Sequence, residues 1–143
     1  MLDVVEISQR LLAELEEAGE DSLPGLMNTV LKPDELAISF SEFSAAGNNL
    51  IQTGLARMFI GRAKGVGPLM ESEIHSLKLF EDTMTELIID PVDKQWTYPG
   101  KPPWLMGTYP WIVLTDAGFV SARAILARRG YRWWEQKVPR PAR

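Results

Sequence analysis

The 143-residue chain contains no cysteine. That excludes disulfides, thiolate zinc sites, iron–sulfur clusters and cysteine nucleophiles. Its single histidine, His75, leaves no multi-histidine metal site. No run of about 18 apolar residues occurs, so no membrane-spanning helix is expected. The first residues, Met1-Leu2-Asp3-Val4-Val5-Glu6, are acidic and do not read as a signal peptide. Lysine and arginine are absent from Pro33 to Ala56. No nucleophile–base pair or paired-carboxylate signature stands out, so neither enzymatic activity nor a cofactor is expected. These absences describe a soluble, cytoplasmic chain of one-domain length, long enough to bury a core without cross-links.

The formal net charge of −4 hides an asymmetry. Residues 1–110 carry 17 acids and 8 bases, a balance of −9, whereas residues 111–143 carry 7 bases and two acids, a balance of +5. A basic end on an acidic body suits an anionic partner, or simply a basic last helical turn.

Val4, Ile7, Leu11, Leu15 and Ala18 recur at helical spacing, which predicts a helix from Leu2 to Ala18 with Asp3 as its cap and Gly19 as its stop. A short second helix is expected within Asp21–Leu31, with Pro24 in its first turn. Leu36–Phe40 reads as extended. A third helix follows, capped by Ser39 or Ser41, burying Phe43, Ala46, Gly47, Leu50 and Ile51 and stopping at Gly54. Leu55–Ile60 reads as a strand and Leu69–Ile88 as a helix. Asp90–Trp111, rich in proline and aromatics, reads as an ordered irregular loop. Trp111–Leu114 is a short strand, Thr115 a helix cap, and Gly130 the stop of the last helix. The segment from Tyr131 is expected to fray.

Glu71 and His75, four residues apart, could share a helix face with Asp82 around a divalent metal, but a solvated charged face is the simpler reading. The Gly61–Gly67 segment lacks the Gly-Lys-Ser/Thr ending of a phosphate loop.

Two stretches suggest a fold. Phe40–Ala56 ends in Gly54-Leu55, where a helix stops and a strand starts. Val113-Leu114-Thr115-Asp116-Ala117-Gly118 runs from a strand into a helix. Together, in the order helix, helix, helix, strand and later strand, helix, they resemble winged helix-turn-helix domains of the MarR-like type. The resemblance implies a mostly helical α+β fold over residues 1–130, residues 61–110 being an insertion between the wing strands and 131–143 a Trp-, Arg- and Pro-rich tail. It also implies a DNA-binding transcriptional regulator acting as a homodimer. Ser41, Ser44, Asn48, Asn49 and Gln52 would face the major groove, where asparagine and glutamine pair with adenine. Arg57, Arg62 and Lys64 would sit on or beyond the wing strand, near the DNA backbone or minor groove. The alternative is a non-catalytic protein-interaction adaptor on the same fold, offering Trp96, Trp104, Trp133 and Trp134 as contacts. A small-molecule-binding or enzymatic role ranks third.

Overall fold

The computed structural model describes residues 2–62, 70–71, 76–99 and 108–135. The chain is mixed α+β, with five helices and two small antiparallel sheets among the described residues.

Helix α1 (Val4–Ala18) begins where the Asp3 carboxylate accepts the Glu6 N–H at 2.7 Å. It ends at Gly19, whose φ of 81° favours glycine. Strand β1 (Glu20–Asp21) follows, then helix α2 (Leu23–Val30), capped by the Ser22 hydroxyl. Helix α3 (Phe40–Gln52) leads through Gly54, at φ 77°, into strand β2 (Ala56–Arg62). Strand β3 (Met70–Glu71), helix α4 (Ser76–Glu86) and the hairpin β4 (Ile88–Ile89) with β5 (Trp96–Thr97) come next. Strand β6 (Thr108–Leu114) and helix α5 (Asp116–Arg129) precede a short 3-10 turn, Trp133–Glu135.

The larger sheet has the order β1-β6-β2-β3, all neighbours antiparallel. Ala56 lies opposite Leu114 and Met58 opposite Ile112. These four side chains are buried with the helices, while Phe59 and Trp111, also opposite one another, pair on the other face. Pro110 stands at the end of β6 that β1 does not cover. Helix α1 is central, packing against α2, α3, α5 and β6. Its Ile7, Leu11 and Leu15 are fully buried with Leu26, Met27 and Phe43.

The two motif stretches meet. The Thr115 hydroxyl donates to the Gly54 carbonyl and accepts the Gly118 N–H, and the Thr115 N–H donates to the Leu55 carbonyl at 3.0 Å. A Cβ on Gly118 would overlap that same Leu55 carbonyl, so only glycine lets α5 start this close to β2.

Several expectations need correction. Leu36–Phe40 is not extended: Leu36 and Ser39 donate their N–H groups to Lys32 and Glu35, closing consecutive turns. Within the expected helix Leu69–Ile88, residues 70–71 instead pair with β2, and α4 is described from Ser76, whose hydroxyl bridges the N–H and carbonyl of Met58. Part of Asp90–Trp111 is regular. The Asp90 carboxylate accepts the N–H groups of Val92 and Asp93, and this turn lets β5 return along β4. The segment after Gly130 does not fray at once. Trp134 is only 3 % exposed, and its indole N–H donates to the Thr29 carbonyl at 3.1 Å.

Candidate functional site

Helix α3 turns Phe43, Ala46, Gly47 and Leu50 into the core and leaves Ser41, Ala45, Asn49 and Gln52 exposed. The sequence-predicted polar face is therefore split. Helix α4 returns along one flank of α3, so closely that a Cβ on Gly47 would overlap the Phe80 ring. Asn48 donates to the Glu81 carboxylate at 3.3 Å, and its side-chain carbonyl oxygen is buried with no hydrogen-bond partner among the described residues. Ser44 lines the crease between the two helices.

That crease is a groove of about 490 Å³ lined by Phe40, Ser44, Glu81, Met84, Thr85, Leu87 and Trp96. Trp96 is the most firmly anchored aromatic of this lining. Its ring lies 5.0 Å from that of Phe40, its indole N–H donates to the Leu36 carbonyl at 2.8 Å, and Asn28 bonds both its backbone N–H and carbonyl. This buttressing fixes a half-buried indole in place. The same Trp96 borders a second cavity of about 370 Å³, where Asp21, Asn28, Asp90, Asp93 and Gln95 also contribute. Asp90 is held below the ordinary carboxylate range by the backbone N–H groups of Asp93 and Val92, so it stays charged there.

Three C-terminal arginines face α1, while Lys137, Arg140 and Arg143 lie outside the described residues. Arg129 donates to Glu6 at 2.8 Å and to Gln9 at 2.7 Å, both on α1. Arg132 grips Glu14 with two bonds of 3.0 Å, and this pairing raises the already high affinity of its guanidinium for a proton. Arg123 faces Glu16 at 3.6 Å. These arginines are matched to α1 and do not flank the polar side of α3.

Of the predicted DNA contacts, Ser41, Asn49 and Gln52 are outward, Ser44 and Asn48 face α4, and Arg57 is half-buried on β2 opposite Val113. Arg62 ends β2, and Lys64 lies outside the described residues. Of the predicted partner contacts, Trp96 is accessible at the groove. Trp133 is half-buried and donates to Glu6 at 2.9 Å. Trp134 is withdrawn from that set, because its ring completes the core between α1 and α2. Trp104 lies outside the described residues, as do His75 and most of Gly61–Gly67. Among the described residues no three metal-binding side chains cluster, and no helix is long and apolar enough to cross a membrane. Val5 and Val120, on α1 and α5, are exposed.

The groove was missed because α4 and β5 reach α3 from more than 30 residues downstream. One signal was present: Gly47, a glycine inside an apolar helical stripe, marks close approach of another element. Comparison with protein-family models, curated proteins and solved structures returned no match.

Proposed function

We propose that the chain is a non-catalytic protein-interaction module built on a winged-helix-type frame. The strand order β1-β6-β2, with β1 between α1 and α2 and β2 following α3, supports that frame. So does the latch between Gly54-Leu55 and Thr115–Gly118.

The observation that carries the interaction reading is the placement of α4. A helix bearing Glu81, Asp82 and Glu86 lies against the flank of α3. Duplex DNA is bound largely by neutralising phosphates with lysine and arginine. Here α3 carries Glu42 and no basic residue, and Arg123, Arg129 and Arg132 meet carboxylates on α1. The α3 side suits a protein partner better than a polyanion.

A second reading keeps DNA as the partner. It is favoured by the outward Ser41, Asn49 and Gln52, with Arg57 and Arg62 following on the wing strand. Fluorescence anisotropy with a labelled random-sequence duplex separates the two. At about 50 mM salt, where phosphate contacts are strong, the interaction reading expects no binding. Binding that weakens steeply by about 200 mM salt overturns it in favour of the DNA reading.

A further inference from the structure

We propose that the groove between α3 and α4 docks a cationic amphipathic helix of a partner protein; this rests on the interaction reading and names the partner's chemistry. Three features carry the assignment. First, the floor is apolar and shaped. Phe40, Met84, Leu87 and Trp96 form an open cleft of about 490 Å³, inside the range of about 300–1,000 Å³ common to binding clefts. A trough between two helices matches the mode in which a helix lays its apolar stripe into a groove.

Second, exposed apolar side chains adjoin it in sequence. Ile38, two residues before Phe40, is 70 % exposed, and Ile88, next to Leu87, is 46 % exposed. Each lies within two residues of a side chain that lines the groove.

Third, the described elements beside it carry mostly negative charge. Helix α4 and the β4–β5 hairpin present Glu81, Asp82, Glu86, Asp90 and Asp93. Against them stand Lys78, which is paired with Asp82 at 3.0 Å, and Lys94. Beyond Trp96 the second cavity places Asp21, Asp90 and Asp93 beside an indole. A lysine or arginine projecting past the end of a docked helix meets carboxylates and an aromatic ring there, both attractive to a cation. Like-charge juxtaposition disfavours an acidic partner on the same face.

The test uses the full chain and two labelled synthetic helical peptides. Both carry leucines at the i, i+3/i+4 and i+7 spacing, one flanked by lysines and the other by glutamates. The lysine peptide is expected to bind, with affinity falling as salt rises, and the glutamate peptide at least about tenfold more weakly. Thr85→Arg, at an exposed helical position in the groove wall, is expected to weaken the lysine peptide by about tenfold or more. Glu81→Lys narrows the preference between the peptides, and Val5→Arg, on α1, leaves binding unchanged. Far-UV circular dichroism checks each fold, and Ser44→Arg replaces Thr85→Arg if the latter unfolds. Equal binding of both peptides, binding of neither, or unchanged binding by the groove variants overturns the proposal. A dimer in sedimentation velocity that Thr85→Arg dissociates also overturns it and gives the groove to a second copy. The interaction reading fails on a different result, retention of duplex DNA, so the two failures are distinguishable.

Discussion

Replacing Arg10 with methionine keeps most of the side chain's stem and removes its charge from the interior of the fold. The Arg10 side chain is 6 % exposed. Its Nε donates to Glu6 at 2.9 Å, and its Nη1 donates both to the Val30 carbonyl and to Glu35, each at 2.9 Å. The guanidinium also lies 5.7 Å from the Trp134 ring centroid. One side chain thus ties α1 to the end of α2, to the turns before α3 and to the C-terminal indole. In the methionine variant Glu6 still has Arg129 and Trp133, and Glu35 still has the Lys32 N–H. The Val30 carbonyl loses the arginine, and two partly buried carboxylates lose their shared cation. Removing one member of a buried ion pair costs about 3–5 kcal/mol. Glu6 and Glu35 keep 22 % and 15 % side-chain exposure, which puts the expectation at the lower end, about 3 kcal/mol. With a urea slope of about 2 kcal/mol per molar, the unfolding midpoint falls by about 1.5 M. Arg10→Lys keeps the charge but lacks the fork that reaches several acceptors together, so its midpoint lies between the two. A loss below about 1 kcal/mol for Arg10→Met would place Arg10 among ordinary surface pairs and refute the reasoning.

Gly118→Ala drives a methyl group into the Leu55 carbonyl, and a loss of about 3 kcal/mol is expected in the same urea titration, whereas Gly19→Ala, strained at φ 81° but facing no atom within 4 Å, loses about 1 kcal/mol. Equal losses would remove the close approach as the cause. Acid unfolding tests Glu6. Burial pushes its carboxyl up, but hydrogen bonds from Trp133, Arg129 and Arg10 outweigh this and hold it below its ordinary 4.5. A depressed folded value means that the contribution is present above the unfolded value and disappears as pH falls through the folded one. Stability is expected to drop below about pH 4.5, with a smaller drop in Glu6→Gln; identical acid profiles for the two proteins would contradict this.

The elements legible in the sequence are those written in local chemistry. Asp3 and Thr115 cap their helices as expected, and Gly19, Gly54 and Gly130 all take positive φ at helix ends. Caps need only the next three residues, so spacing reveals them. Strand β1 carries no such record. Glu20 and Asp21 do not alternate in polarity, and they become a strand because Val113 and Ile112 lie opposite. The β4–β5 hairpin turns at Lys94 with φ 61°, without the glycine that would have announced it. The candidate site failed for a related reason. Helical spacing correctly separates the buried from the polar side of α3, but it cannot tell solvent from a second helix. Ser44 and Asn48 look like Asn49 and Gln52 until Phe80 is seated on Gly47.

The charge segregation of the sequence acquires a different meaning in three dimensions. A −9 body joined to a +5 end is compatible with a basic patch for an anionic partner or simply with a basic last helical turn. Within the fold, Arg129, Arg132 and Arg123 instead meet Glu6, Glu14 and Glu16 on α1, so much of the attraction acts inside the molecule, closing the C-terminal segment onto the first helix. Other described elements keep acids that no ion pair joins to these arginines. Helix α4 and the β4–β5 hairpin keep Glu81, Glu86, Asp90 and Asp93, and the groove and Trp96 lie among them. Long-range attraction governs encounter and selection of partners more than final affinity. In the proposed docking mode the apolar floor supplies a place to bind, while the acids of α4 and the hairpin favour a cationic visitor.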